Sequence, residues 1–485
     1  MKGSARLRLY RGLGRVLVPA LHLWLRARAR RGKEDAARRG ERFGRASLAR
    51  PEGPLVWFHA ASVGELHCIL PLATRVRALG LHVLVTTGTV TSAVLAKERL
   101  PAGALHQFQA LDVAPAVRRF LDHWAPDLAV FVESEVWPTT IGELAARGVP
   151  LALVNARMSD RSFRSWAKRP RLARGVFGRF SHVIAQGPMD AERFRVLGAP
   201  RVAAAGNLKI DTAPPPVDAD ELAALRERIG ARPVWTAASL HPGEAAVVAE
   251  AARRLRERRP DALLVAVPRH PDRADDFAAA FAQEGLCVAR RSRGEEVGAD
   301  TAVLLADTMG ELGLWFRLAP VAFMGKSLLE RDGGGQNPVE AVLCGAAVLS
   351  GRSVANFRDA YRALLLARGA RLVRDAPQLA DYVAHLWSRT DDAAAMREGA
   401  EAAVKGLAGA LDRTLQQLDP WIAPLRMEAM LRRTRAVSEG HVAGLSAARL
   451  KTMRRLEIGG RDALRRDAPP AKARAKTKER PAAAE

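Results

Sequence analysis

The sequence contains little cysteine and lacks several common catalytic motifs. Its 485 residues include three cysteines, Cys68, Cys287 and Cys344, and no CxxC spacing. This pattern provides neither a disulfide framework nor a zinc site, and it suits a reducing compartment. There is no Walker loop and no HExxH stretch, and the glycines at 12–14 lack the third glycine of GxGxxG, where Leu17 stands instead. Nothing in these motifs indicates a P-loop or zinc enzyme.

Long apolar runs are also missing. The N-terminal run from Val16 to Leu25 has about ten residues and includes Pro19 and His22, whereas a spanning helix needs about 20. The surrounding arginines oppose export as a signal peptide. We therefore expect an interfacial amphipathic segment that binds an anionic membrane reversibly. A basic helix packed on its own protein is the alternative. The expected apolar side comprises Leu9, Leu13, Leu17, Leu21, Trp24 and Leu25.

Acidic residues are scarce at the two ends of the chain. Residues 1–50 hold 15 Lys/Arg against 3 Asp/Glu, and residues 426–485 hold 16 against 7. The residues between them carry only +3 of the net charge of +24. A nucleic-acid enzyme would more often spread basic charge over its cleft, so no nucleic acid is expected. The charged ends favour an anionic membrane surface as partner.

Short apolar runs alternate with helical patterns from residue 55 onward. Near-continuous apolar strands separated by helices predict parallel sheets covered on both faces. The pattern breaks at "DTAPPPVDAD" (211–220), whose prolines suit a spacer, and then resumes. The expected divisions are a membrane-associated segment (1–50), two α/β domains (51–212 and 213–425) and a basic, partly disordered tail (426–485).

"HAASVGE" (59–65) places small residues and then an acid after the first apolar strand. Ligands in open parallel sheets sit at this end of the strands, and the lack of bulk at Ser62 and Gly64 leaves room for one. Glu65 falls in the first turn of the next helix, where an acid also interacts favourably with the helix dipole. Taken alone, the stretch leaves both interpretations open.

Three further segments put polar groups at the same edge of the first sheet. They are "VESEVWP" (132–138) with Glu133, "NARMSDRS" (155–162), and "AGNLKID" (205–211) with Lys209. Ordinary turn chemistry accounts for any one of them. Together they predict a lined cleft.

The second half has the pattern of a nucleotide pocket. Free N–H groups at helix starts bind phosphate, an arginine adds a charge-assisted bond, and a carboxylate one turn into a helix suits ribose hydroxyls. Glycine-rich turns with helix caps are the alternative. The candidates are Ser239, His241, Arg269, Met309, Gly310, Glu311, Gly335, Asn337 and Glu340.

The ordered set "HAASVGE", "VESEVWP", "NARMSDRS", "GNLK", "ASLHPGE", "VPRHPDR", "DTMGEL" and "GGGQNPVEA" resembles the Kdo transferases (3-deoxy-D-manno-octulosonic acid transferases) of lipopolysaccharide assembly. The resemblance implies an α/β fold of GT-B type, with two Rossmann-like domains whose parallel sheets face across a cleft. It also implies CMP-Kdo as donor, a lipid A precursor as acceptor, no cofactor or catalytic metal, and a location on the cytoplasmic face of the inner membrane.

Residue roles follow from the same resemblance. Glu65 matches the family's general base, and Arg269, Met309, Gly310, Asn337 and Glu340 match positions around CMP, with Lys209 and Ser239 near the cleft. Gln336 stands where the family usually has histidine. An unperturbed glutamate titrates near 4.3, which predicts an ionised Glu65 at neutral pH. Arg269 and helix-start N–H groups around 310 and 335–337 are expected to hold the leaving phosphate.

Two other functions remain open from the residues alone. A UDP-sugar glycosyltransferase or epimerase would share the fold, and titration with CMP and UDP would separate the two nucleotides. A non-enzymatic basic scaffold would bind membrane or nucleic acid through its ends, and would not need polar loops at so many strand ends.

Overall fold

The computed structural model describes residues 10, 12, 14, 17–211, 213–329 and 333–435. Leu9 and Leu13 of the predicted apolar side lie outside the described residues, as does the predicted basic tail from 436 onward. The described residues form two α/β domains, each built on a parallel sheet of seven strands. This confirms the predicted fold class.

The first sheet has the strand order β3-β2-β1-β4-β5-β6-β7. All its neighbouring strands pair in parallel, and Leu55 of β1 faces His82 of β2. Its strands are β1 (Leu55–Ala60), β2 (His82–Thr87), β3 (Leu105–Phe108), β4 (Leu128–Val132), β5 (Leu151–Ala156), β6 (His182–Ala185) and β7 (Val202–Ala204).

The second sheet has the order β10-β11-β9-β8-β12-β13-β14, also all parallel. Its strands are β8 (Val234–Leu240), β9 (Leu263–Pro268), β10 (Val288–Arg290), β11 (Val303–Leu305), β12 (Val321–Met324), β13 (Ala347–Ser350) and β14 (Ala370–Leu372).

Helices connect the strands and cover both faces of the sheets. In the first half they are α1 (Val18–Arg30), α2 (Arg39–Arg42), α3 (Val63–Ala78), α4 (Val90–Arg99), α5 (Ala114–Trp124), α6 (Pro138–Ala146), α7 (Asp160–Ala167), α8 (Pro170–Phe177) and α9 (Pro188–Val196). In the second half they are α10 (Ala219–Ile229), α11 (Ala245–Arg258), α12 (Ala274–Gln283), α13 (Leu312–Leu318), α14 (Val339–Leu343), α15 (Arg358–Leu366), α16 (Ala376–Ser388) and α17 (Thr390–Leu407). A further helix occupies 410–435.

Strand β1 is apolar along most of its length because both of its faces are covered. Leu55 and Trp57 belong to one hydrophobic cluster, and Val56 and Phe58 belong to another on the opposite face. Successive side chains of a strand point to opposite faces, so a strand buried on both sides cannot alternate polar and apolar residues. Truncating fully buried Trp57 to alanine should cost about 3–5 kcal/mol of stability.

The strand orders determine where each sheet opens toward a ligand. In the first sheet successive strands are added outward on opposite sides of the junction between β1 and β4, and in the second on opposite sides of the junction between β8 and β12. Ligands of open parallel sheets bind outside the carboxyl ends of strands at such switch points. Glu65 follows β1 and Glu133 follows β4, so both acids lie at the switch point of the first sheet.

The chain crosses between the two domains twice. The proline-rich connection packs on the second domain, where the Pro215 carbonyl accepts a hydrogen bond from Arg317. Helix 410–435 then returns, and its Leu418 and Ile422 join the hydrophobic cluster of the first domain. The sequence pattern predicted that residues up to 425 belong to the second domain. The folded structure shows instead that helix 410–435 packs back on the first domain. The predicted domain limits otherwise stay predictions.

The N-terminal segment packs partly on the first domain. Leu25 is fully buried, whereas Leu23 and Trp24 are 65% and 48% exposed. Glu34 pairs with Arg42 at 3.0 Å, and both side chains are nearly inaccessible. Residues 34–46 therefore belong to the core of the first domain, and deletion of 1–50 would remove part of it. Within the described chain, no helix combines the length and apolar character needed to cross a bilayer.

Candidate functional site

Glu65 is held at the start of α3 by the loop that leaves β1. Ser62 is the N-cap of α3 and its hydroxyl accepts a hydrogen bond from the Glu65 N–H, as is usual for an N-cap serine. The Ala61 N–H donates to Glu65 Oε2 at 2.6 Å. Ala61 is itself held, because its carbonyl accepts a bond from the Gly88 N–H at 3.1 Å. A β-carbon at Gly88 would lie 2.6 Å from that carbonyl oxygen, so only glycine fits there.

The pKa of Glu65 is raised to about 7, first by burial and then by the negative charges of Glu135 and Glu133. The hydrogen bonds from Ala61 and Ser62 lower this pKa but do not offset the other effects. The expectation of an ionised Glu65 at neutral pH, based on the unperturbed value near 4.3, therefore holds only in part, because a carboxyl with a pKa of about 7 is about half protonated there. A carboxylate with a pKa near 7 has the value that suits a general base at neutral pH.

Glu133 and Lys209 form an ion pair beside Glu65. Glu133 has a positive φ of 55° directly after β4, and its carboxylate accepts a hydrogen bond from Lys209 Nζ. Burial is the largest single effect and lowers the pKa of Lys209, but the charge of Glu133, the charge of Cys68 and the hydrogen bond to Glu133 together outweigh it, and the net pKa is raised. Lys209 thus stays cationic in the cleft. Its loop is fastened by Asn155, whose Oδ1 accepts a hydrogen bond from the Leu208 N–H at 3.0 Å.

Glu135 is a site residue that our sequence reasoning did not select. Its Oε2 accepts a hydrogen bond from Trp137 Nε1 at 2.8 Å and lies 3.6 Å from His59 Nε2. His59 is fully buried, and its Nε2 has no hydrogen-bond partner among the described residues. The segment "VESEVWP" contains both Glu133 and Glu135, but the sequence alone does not show that both of them raise the pKa of Glu65.

In the second domain, Ser239 and His241 lie at the end of β8. Ser239 has a positive φ of 56°, and His241 Nε2 lies 3.4 Å from Gln336 Nε2. Burial lowers the pKa of His241, and the charge of Lys326 lowers it further. A neutral imidazole next to the neutral amide of Gln336 suits hydrogen bonding at this position.

The glycine-rich loop before α14 differs from the expectation in one respect. The N–H of Gly335 donates to the Lys326 carbonyl at 2.8 Å, so it is already satisfied within the protein and is not available for a phosphate. Gly335 has a φ of 71°, and a β-carbon there would crowd the Ser353 carbonyl oxygen at 3.2 Å. The positive φ and this close contact therefore explain why residue 335 is glycine.

Glu340 lies in the first turn of α14, and Asn337 lies just before that helix. Asn337 Nδ2 donates to Glu340 Oε1 at 3.1 Å. Burial raises the pKa of Glu340, while this hydrogen bond and the charges of Arg269 and Lys209 lower it in part. Lys209 belongs to the first domain and Arg269 to the second. The structure thus brings the two predicted halves of the site together around Glu340.

The residues after β11 are only partly in the expected arrangement. Gly310 has a φ of 89° with open space around it, and Met309 is 71% exposed. The carboxylate of Glu311 is bound by Arg291 at 2.9 Å and by the Thr308 hydroxyl. Glu311 is thus engaged within its own domain, and its assignment to the nucleotide stays a prediction.

A cavity of about 530 Å³ lies between the domains. First-domain loops after β5, β6 and β7 form one wall, and the glycine-rich loop and the loop after β13 form the other. Among the described residues, no group of three or more His, Cys, Asp or Glu side chains is placed to hold a metal ion. The expectations of a metal-free reaction and of no cofactor stay predictions.

Comparisons with known proteins identify the family of this chain. A family model described as 3-deoxy-D-manno-octulosonic-acid transferase (kdotransferase) matches residues 37–212. The 3-deoxy-D-manno-octulosonic acid transferase of Bordetella pertussis is 37% identical over 84% of this chain and 97% of the relative. The Rickettsia bellii enzyme of the same name is 32% identical over 78% and 90%.

Solved structures agree on the fold. A glycosyltransferase from Rickettsia africae matches with a TM-score of 0.57, covering 77% of this chain and 99% of that one. At 11% identity this likeness shows the fold alone. The sequence relatives carry the family assignment: the chain belongs to the 3-deoxy-D-manno-octulosonic acid transferases and is a glycosyltransferase.

Proposed function

We propose that the protein transfers Kdo from CMP-Kdo to a lipid A precursor, with Glu65 as general base and with inversion at the anomeric carbon. The observation that carries this proposal is the position of Glu65. It lies at the switch point of the first sheet with a pKa of about 7, in the same cleft as the Lys209 and Arg269 cations around Glu340.

The proposed step is one displacement. An acceptor hydroxyl gives its proton to the Glu65 carboxylate while its oxygen bonds to the anomeric carbon of Kdo. The bond from that carbon to the CMP phosphate oxygen breaks, and its electron pair leaves with CMP. Attack opposite the leaving group inverts the configuration.

Charge builds on the leaving phosphate during this step and needs stabilisation. Arg269 directly follows β9, where its N–H donates to the Leu240 carbonyl at 2.8 Å, and its side chain is exposed. Gly310 precedes α13 with open space around it. Because the Gly335 N–H is used internally, we assign the phosphate to Arg269 and the backbone at Gly310. Such preorganised donors stabilise developing charge without a metal.

The acceptor is proposed to reach Glu65 from a membrane. Exposed Leu17, Leu23 and Trp24 on the N-terminal segment, together with the basic residues of 1–50, suit an anionic interface. We propose peripheral association with the cytoplasmic face of the inner membrane.

The direct test is incubation of the full chain with CMP-Kdo and a lipid A precursor, followed by mass spectrometry. The proposal predicts a product heavier by one or more Kdo residues and the release of CMP. Parallel titrations with CMP and UDP should show thermal stabilisation by CMP only. Transfer from a UDP-sugar, or no product with CMP-Kdo, would refute the proposed donor.

A further inference from the structure

The "NARMSDRS" segment lines the interdomain cavity but has no part in the mechanism above. At about 530 Å³ the cavity has the size typical of small-molecule pockets, about 300–1,000 Å³. Five arginines line it: Arg157, Arg161, Arg164, Arg193 and Arg358. An arginine-lined pocket favours an anionic ligand.

Arg157 differs from its neighbours because it is half-buried and contacts no carboxylate directly. Its Nη2 donates to Asn356 Oδ1 at 2.6 Å, a neutral partner in the other domain. The side chain is half-buried, and no carboxylate of the described residues lies within 4.0 Å of it. Asp190 of the same cavity interacts with Arg157 electrostatically but does not contact it, and a partly desolvated cation without a directly paired carboxylate is costly. A planar guanidinium with free N–H groups is also suited to holding a carboxylate by two parallel hydrogen bonds.

The other arginines of the cavity are engaged or more exposed. Arg193 pairs with Asp160, and Arg358 donates to the Met189 sulfur while lying 3.9 Å from Asp160. Arg161 is exposed and makes no hydrogen bond or ion pair with the described residues. Arg157 is therefore the arginine best placed to bind an anion. Arg161 provides the control, because it lines the same cavity without such contacts.

The contacts of Arg157 connect both halves of the proposed site. Its backbone N–H donates to the Glu133 carbonyl at 3.2 Å, next to the Glu133–Lys209 pair. Its partner Asn356 donates through Nδ2 to the Gly335 carbonyl at 3.2 Å. Arg157 thus lies between the carboxylate cluster and the glycine-rich loop of the proposed donor domain. In the proposed function, the sugar that passes from nucleotide to acceptor moves between these two parts of the site.

We propose that Arg157 binds the carboxylate of the sugar acid that is transferred. This inference rests on the proposed function, since Kdo, an octulosonic acid, supplies the carboxylate. The same guanidinium chemistry would suit a phosphate on the acceptor. The donor carboxylate is favoured because the side chain of Arg157 reaches the glycine-rich loop through Asn356, whereas only its backbone contacts Glu133. Arg157 then selects an acidic sugar over a neutral one.

The test compares Arg157→Gln and Arg157→Lys with the matched variant Arg161→Gln. Loss of a charge-assisted bond predicts a KM for CMP-Kdo about 10- to 100-fold higher in Arg157→Gln. Arg157→Lys should be intermediate, because it keeps the charge but loses the two-bonded geometry. The KM for acceptor, the affinity for CMP alone, and the kinetics of Arg161→Gln should stay at wild-type values.

Each other outcome overturns the inference. A raised acceptor KM with an unchanged donor KM would assign Arg157 to an acceptor phosphate. Weaker binding of CMP alone would place it at the nucleotide, and equal effects in Arg161→Gln would indicate general electrostatics. If Arg157→Gln does not fold, Arg157→Lys provides the same comparison. If the wild-type protein is inactive with CMP-Kdo, the proposed function is refuted. If the wild type is active and Arg157→Gln has the same KM for CMP-Kdo, only this inference is refuted.

Discussion

The Ala61 N–H donates to Glu65 Oε2 at 2.6 Å, so the candidate base is held by the backbone of the loop that precedes its own helix. The hydrogen bond favours the ionised carboxylate, while burial and two nearby acids oppose ionisation. The balance places the pKa of Glu65 near neutrality. Reactivity and position are therefore set by the same short loop.

The first prediction concerns pH. Because the pKa of Glu65 is raised to about 7, the carboxyl is mostly protonated at pH 6 and mostly ionised at pH 8. A general base must be ionised, so kcat/KM should rise about tenfold between these values. Initial rates over this range measure it. A profile that is flat from pH 6 to 8 would contradict the raised pKa.

The second prediction tests the cause of that shift. Glu135→Gln removes a negative charge that raises the pKa of Glu65, so the midpoint of the kcat/KM profile should move to lower pH. Glu98→Gln, at an exposed position of α4, is the control and should leave the midpoint in place. An unchanged midpoint in Glu135→Gln would contradict the contribution of the Glu135 charge to the raised pKa.

Much of the fold was predictable, because strands buried on both faces have near-continuous apolar sequences. "LVWFH" predicts β1 and its cluster residue Trp57 without any tertiary information. The return of helix 410–435 to the first domain was not predictable, since amphipathic spacing does not say which domain a helix covers. The sequence likewise did not show which apolar side chains of α1 pack on the first domain and that Trp24 stays partly exposed.

The site was predictable residue by residue but not contact by contact. The motif letters located Glu65, Lys209 and Glu340, which the structure brings to one cleft. They did not show that the Gly335 N–H bonds to Lys326 or that Glu135 influences Glu65. Such contacts join residues distant in sequence, and the sequence pattern records only local spacing.

The third prediction tests whether the missing bulk near Glu65 makes room for the acceptor. Gly64 is exposed, and a β-carbon there would meet nothing within 4 Å. Gly64→Leu should therefore fold normally, with helix propensity favouring leucine by up to about 1 kcal/mol. We expect a raised KM for the acceptor with unchanged CMP affinity. Gly406→Leu, another exposed helical glycine with open space around it, should change neither; normal acceptor kinetics in Gly64→Leu would refute the role.

The fourth prediction concerns membrane contact. Binding to vesicles containing anionic lipid should weaken as ionic strength rises, because salt screens the basic ends of the chain. Trp24→Glu, at a 48% exposed position, should weaken it further by removing an apolar contact. Leu366→Glu, at a 77% exposed position of the second domain, is the control. Vesicle co-sedimentation measures all three, and binding that persists at high salt would indicate a purely apolar anchor.

The central claim is that Glu65 accepts the acceptor's proton. Glu65→Gln keeps the size of the side chain and an oxygen for the Ala61 N–H, but the amide cannot take up a proton. The most direct measurement is single-turnover transfer from CMP-Kdo by Glu65→Gln, made alongside CMP binding. The account predicts a rate about 100- to 10,000-fold below wild type with unchanged CMP affinity. A rate near that of wild type would contradict it.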